Sequence, residues 1–203
     1  MSTLEVIAVV INILGVWLTT QRIRWCWPVN VVAVLLYAWI FSEAKLYSDM
    51  LLQVVFAFLQ GYGWWLWSRG GLDHGKVHVR RTPVRGAMIS LVVGALGAAL
   101  LGSVMATFTD AAVPWLDASL TAFSLVASVW AARKYVASWW LWIVLDCVYV
   151  GMYLHRDLQL TAGLYAGFVV LAFYGYRTWR RDLMTQEIPL MSTAQGHPVR
   201  GEV

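Results

Sequence analysis

The sequence predicts an all-α membrane protein: seven transmembrane helices in a 3+1+3 arrangement, two parallel three-helix repeats joined by a linker helix. Three observations carry that prediction. The first is apolarity. Of the 203 residues, 60% are hydrophobic and 13% charged, with a mean hydropathy of +0.64. A soluble domain of this size has too little interior to hide that much apolar surface. The second is an internal repeat. Residues 8–69 align without a gap on residues 120–181, at a constant offset of 112. Trp27 falls on Trp139, Tyr37 on Tyr149, Phe56 on Phe168, Gly63 on Gly175, Trp67 on Trp179 and Arg69 on Arg181. Basic Arg22 meets Lys134. The third is charge placement: 13 of the 15 Lys and Arg fall on one side of the predicted spans.

A membrane helix needs about 20 apolar residues, with a lower range near 17. The first span is read at 6–20; the N-terminus ahead of it lacks the basic region of a cleavable signal peptide. The second, 28–41, is short and opens on Pro28, whose missing N–H has no partner in a first turn anyway. The third, 47–67, ends at Gly70-Gly71. The fourth, 87–108, follows Pro83 and is rich in Gly, Ala, Leu and Val. Its small residues suit close helix packing, and it reads as a connector. The fifth, 116–132, repeats the first. The sixth, 139–154, is short like the second. The seventh, 158–179, runs into the basic stretch Arg177 to Arg181. The expected organisation is repeat one at 1–69, a basic loop and linker helix at 70–115, repeat two at 116–181 and a polar tail at 182–203. Pro189 and Pro198 mark that tail as mobile.

The basic residues orient the chain. Arg22 and Arg24, the loop from Arg69 to Arg85, Arg133-Lys134, Arg177 to Arg181 and Arg200 share one side; Lys45 and Arg156 fall on the other. The positive-inside rule then predicts an outside N-terminus and a cytoplasmic C-terminus. A three-helix unit reverses direction and one linker helix restores it. Both copies therefore cross in the same sense, about a pseudo-twofold axis along the membrane normal. Duplicated hydrophobic halves of this kind place a substrate between them, which points to transport.

Other classes lose support. The net charge of +4 comes from short loops between apolar runs, so no nucleic-acid partner is predicted. Cys26 and Cys147 lie far apart in apolar runs and give neither metal spacing nor a disulfide framework. The four His sit in loops or the tail. No phosphate-binding loop and no Ser/His/Asp constellation is present. No catalytic residue, metal or cofactor is predicted.

Polar groups at membrane depth need a reason. Asp146 sits midway along the sixth span, where an ionised carboxylate costs roughly 2.5–3.5 kcal/mol. It faces a ligand or cavity, or it is neutral or tied to a neighbouring helix. Trp139, Trp142, Asp146, Tyr149 and Tyr153 step by three and four, so they form one stripe. Aromatic faces beside one carboxylate suit a flat, cationic aromatic ligand. Trp139 reads equally as an interfacial anchor. The third span carries Asp49, Gln53, Phe56, Gln60, Trp64 and Trp67 as a second stripe. Its amides donate and accept, which suits sugar hydroxyls or a carboxamide; helix–helix hydrogen bonding is the other use of such residues. Asn12, Asn30, Ser124, Ser128 and Thr161 are weaker candidates.

These residues carry a resemblance. The run LYSDMLLQVVFAFLQGYGWWLWSR (residues 46–69) resembles the third span of the nicotinamide riboside transporter (PnuC) family. RKYVASWWLWIVLD (residues 133–146) resembles its R-K-Y-x-x-x-W-x-x-W-x-x-x-N/D run, and YGYRTW (residues 174–179) its last span. The resemblance covers roughly residues 5–181. It implies a fold like a duplicated sugar-efflux (SWEET) unit and a homotrimer in the bacterial inner membrane. It also implies facilitated diffusion of a dephosphorylated vitamin, trapped afterwards by a cytosolic kinase. Gln53 occupies the family's motif glutamine; Trp139, Trp142 and Asp146 occupy its sixth-span motif. With Gln60, Trp64 and Tyr149 these form the candidate substrate-binding set. Position 146 is Asp where some members carry Asn, and position 60 is Gln where Asn also occurs. Nicotinamide riboside is the first expected substrate. Thiamine is the alternative, with uncharged riboflavin a poorer match to Asp146. A non-transport membrane subunit is the remote alternative.

Overall fold

The computed structural model describes residues 3–43, 47–69, 72–73, 76–109, 113–155, 157 and 159–195. In chain order the elements are α1 (Thr3–Thr20), α2 (Cys26–Glu43), α3 (Tyr47–Arg69), β1 (Leu72–Asp73), β2 (Lys76–Val77), α4 (Val84–Phe108), α5 (Pro114–Ala132), α6 (Ser138–His155) and α7 (Gln159–Gln195). The described residues therefore form seven helices. Four of them, α1, α2, α4 and α5, are long and apolar enough to cross a membrane. The other three, α3, α6 and α7, carry the amides, Asp146 and most of the Trp and Tyr, which lowers their hydropathy.

Two expectations about length change. The second and sixth helices are not short. Each has 18 residues, roughly 27 Å at 1.5 Å per residue, close to the hydrocarbon thickness. The polar tail is not a tail as far as Gln195: α7 continues through residues 182–195. Asp182 forms an ion pair with Arg22, the Gln186 amide donates to Asp182 one turn back, and Leu183 packs against the core. Polar composition alone hid these anchors. Residues 196–203, and the two outlying cations Lys45 and Arg156, lie outside the described residues.

Within each copy the middle helix packs on both neighbours: α2 on α1 and α3, α6 on α5 and α7. Between copies, α1 packs on α7 and α3 on α5. The sequence offset carries one of these contacts onto the other. The linker helix α4 packs on α5.

The basic ends of the helices hold the densest core. Trp67 and Trp179 are completely buried, with ring centroids 5.9 Å apart. Trp27 meets Trp67 edge-on at 5.4 Å, and Trp139 meets Trp179 edge-on at 5.4 Å. Each central indole reaches across to the other copy. Trp67 Nε1 donates to the Ala131 and Ala132 carbonyls at 3.3 and 3.0 Å; Trp179 Nε1 donates to the Thr19 carbonyl at 3.1 Å. Gly63 lies against the Trp27 ring, and a Cβ on Gly175 would come within 2.7 Å of Trp139. Only glycine lets those rings approach.

The loop between α3 and α4 closes this end. Its β1–β2 hairpin pairs Leu72 with Val77 and Asp73 with Lys76. Val77 N–H donates to the Arg22 carbonyl at 3.2 Å, and Arg80 N–H to the Lys134 carbonyl at 2.8 Å. Isolated bridges join Ile23 to Lys76 and Arg80 to Tyr135. Ile23 and Tyr135 are repeat equivalents, as are Arg22 and Lys134, which both have positive φ (62° and 67°). One segment therefore straps equivalent turns of both copies, with Val77 and Val79 buried beneath it.

Candidate functional site

Asp146 stands near the middle of α6, eight residues after Ser138 and nine before His155. It is 6% exposed. No side chain among the described residues gives it a hydrogen bond or an ion pair. A carboxylate taken from water without compensation is costly, which singles Asp146 out among the polar groups of α6.

Tyrosines surround it. Tyr149, one turn along α6, and Tyr165 on α7 both lie within electrostatic reach of Asp146. Their rings are 4.6 Å apart. Tyr153 adds a third face, 5.2 Å from Tyr165 and 6.1 Å from Tyr149. Phe168 meets Tyr165 edge-on at 5.8 Å. Tyr37 of the first copy lies near Tyr153 across the boundary, and Ser124 of α5 lies near Tyr149. Phenol faces beside one carboxylate are chemically suited to a positively charged ring.

The predicted residues divide. Asp146 and Tyr149 come together, and Trp142 packs between the basic-end core and a second cluster of Leu120, Ala127 and Leu145. On α3, Gln53 and Gln60 are half-buried. The Gln60 Oε1 is buried with no donor, and Gln53 has no hydrogen-bond partner among the described residues. Trp64 lies elsewhere, at the basic end, 5.3 Å from Trp25 and under Arg24. Trp139 belongs to the tryptophan core, where its Nε1, like that of Trp27, is buried without an acceptor. The Asp49 side chain lies outside the described residues. Sequence reasoning missed Tyr165. The repeat held the signal, since Tyr165 aligns with Gln53.

At the basic end, Lys134 is 9% exposed, and burial pushes its ammonium down from the usual lysine range, with Arg80 nearby adding to the effect. Among the described residues no cluster of His, Cys, Asp or Glu has the grouping of a metal site.

Residues 2–181 match the protein family described as nicotinamide mononucleotide transporter. This chain belongs to that family. Among its relatives, the nicotinamide riboside transporter PnuC of Escherichia coli (strain K12) is 24% identical over 204 residues, covering 88% of this chain and 85% of the relative. The riboflavin/roseoflavin transporter RibM of Streptomyces davaonensis is 32% identical over 183 residues, covering 84% of each. The fold is also that of the crystal structure of the vitamin B3 transporter PnuC. The TM-score is 0.72 at 22% identity, over 90% of this chain and 82% of the other. Membership of this transporter family and the apolar helices make the chain a multi-pass membrane protein.

Proposed function

We propose that this chain is a vitamin transporter that imports nicotinamide riboside by facilitated diffusion through the bacterial inner membrane, with phosphorylation in the cytosol trapping the product. The observation that carries this reading is buried Asp146, without a hydrogen-bond or ion-pair partner among the described residues, beside the tyrosine cluster. Nicotinamide riboside brings what that site lacks: a flat, cationic aromatic ring. The amides of Gln53 and Gln60 then serve the carboxamide or the ribose hydroxyls. The substrate-binding set proposed is Gln53, Gln60, Trp142, Asp146 and Tyr149, with Tyr165 added. Trp64 and Trp139 stand further toward the basic end, Trp139 within the tryptophan core.

Around that site we read a SWEET-like 3+1+3 arrangement of seven spans, with 1–69 and 116–181 as parallel repeats, an outside N-terminus and a cytoplasmic basic end. The matched inter-copy contacts support the repeats, and the side-segregated cations support the orientation. A homotrimer in the membrane completes the proposal. Lys76→Cys should resist an impermeant thiol reagent applied to intact cells; ready modification from outside would reverse the topology.

A second reading has its own support. The 32% identical relative is named for riboflavin and roseoflavin, and stacked tyrosines also take a neutral ring. Isothermal titration of purified protein with nicotinamide riboside, thiamine and riboflavin separates the readings. Nicotinamide riboside should bind tightest; preferential riboflavin binding would replace the first reading with the second. Liposomes without ion gradients should equilibrate labelled substrate. Accumulation driven by a proton or sodium gradient would contradict facilitated diffusion.

A further inference from the structure

A groove of about 680 Å3 opens at the basic end of α7. Phe173, Arg177, Arg180 and Arg181 follow at steps of four, three and one and share one helix face. Trp140 and Tyr176 complete the lining, with ring centroids 5.0 Å apart. The Arg177 guanidinium lies 4.5 Å over Phe173. All three arginines are exposed, and none has a carboxylate partner among the described residues; the neighbouring Asp182 is held by Arg22.

The repeated fold does not require this charge. In the first copy, Trp65, Ser68 and Arg69 align with Arg177, Arg180 and Arg181. The single arginine there lies over Trp65 at 4.3 Å. Orientation by positive charge asks for cations near helix ends; it does not ask for three of them around a hollow floored with aromatic rings.

A second hollow lies between the same two helices. About 260 Å3 in volume, it is lined by Cys147, Val150, Ala166 and Val169. Cys147 lies seven residues along α6 from Trp140, and Ala166 seven residues back along α7 from Phe173. Two turns keep the same face and move roughly 10 Å deeper into the apolar region. Guanidiniums fork onto phosphate oxygens, aromatic rings sit at headgroup level, and basic pockets on the cytoplasmic side hold anionic headgroups. We propose that this face of α6 and α7 binds one anionic phospholipid, its phosphodiester on Arg177, Arg180 and Arg181 and an acyl chain in the hollow at Cys147.

Cys147 is its own reporter, because it is exposed while Cys26 is buried. In detergent, Cys147 should react with N-ethylmaleimide, and phosphatidylglycerol should slow that reaction about tenfold or more. Phosphatidylcholine and inorganic phosphate at the same concentration should not. The Arg180→Gln/Arg181→Gln variant should lose the protection. Arg180→Lys/Arg181→Lys should keep most of it, as should Lys76→Gln/Arg85→Gln, which removes two cations elsewhere on the same end. Equal protection by phosphatidylcholine would reduce the site to a non-specific acyl slot. Protection by phosphate alone would make it a free-anion site. Undiminished protection in Arg180→Gln/Arg181→Gln, or its loss in Lys76→Gln/Arg85→Gln, would overturn the proposal.

Discussion

The two copies of the three-helix unit match at one end and differ in the middle. At the basic end almost every device occurs twice: Trp27 and Trp139 edge-on to Trp67 and Trp179, Gly63 and Gly175 beneath the rings, Arg22 and Lys134 at positive φ. At mid-helix several pairs are unlike, although Tyr37 and Tyr149 match. Asp146 aligns with Val34, Trp142 with Asn30, Tyr165 with Gln53 and Ser124 with Asn12. Asn30 fills the space that Gly15 leaves open, whereas its counterpart Trp142 lies against Ala127 and Leu145. Packing therefore matches between the copies where they clamp one another, and the side chains diverge around Asp146.

The first helices of the copies differ as well. Helix α5 buries ten residues and α1 three. The cause is α4, which packs on α5 alone of the two. A Cβ on Gly94 would meet Val126 and Phe123, and one on Gly102 would meet Trp115, at 2.6–3.1 Å. Trp130 Nε1 donates to Ser90 Oγ at 2.8 Å. Val6, Val10, Leu14 and Trp17 of α1 stay exposed, as suits a helix that faces lipid.

The largest effects test the matched end. Trp67→Ala and Trp179→Ala each open a cavity in a fully buried cluster and should cost about 3–5 kcal/mol, in equal measure, by denaturation in detergent. A clear inequality would break the equivalence of the copies. Gly63→Ala and Gly175→Ala should cost about 1–3 kcal/mol by overpacking. Gly151→Ala should not, since nothing lies within 4 Å of a Cβ there.

The unmatched middle is tested by binding. Gln53→Ala removes an amide from a substrate polar group, and a buried group left unpaired costs about 1–3 kcal/mol. Asp146→Asn keeps the shape and removes the charge, so affinity for nicotinamide riboside should fall about tenfold, ~1.4 kcal/mol. Val34→Ala, at the aligned position, should leave titration curves unchanged. Equal effects at 34 and 146 would mean that the two aligned positions contribute alike to the site. The smallest effect is expected on α4: Leu96→Ala and Leu100→Ala, both exposed, should shift affinity by less than about 0.5 kcal/mol.

Sequence by itself determined the helix order, the repeat at an offset of 112 and the place of Asp146 midway along its helix. Each depends on local composition and spacing, which a helix expresses without help from its neighbours. Periodicity also placed Trp139, Trp142, Asp146, Tyr149 and Tyr153 on one stripe of α6. It could not say what lies opposite each one, because a single stripe can touch different helices along its length. Only the packing of α6 against α5 and α7 set Trp139 against Trp179 and Gly175 while setting Tyr149 against Tyr165. Tertiary structure likewise decided that the stretch after residue 181 is anchored at its start, through the pair Arg22–Asp182, and that the basic loop is a strap. Those contacts join residues far apart in the chain, and their stability comes from burial and pairing that no local pattern records.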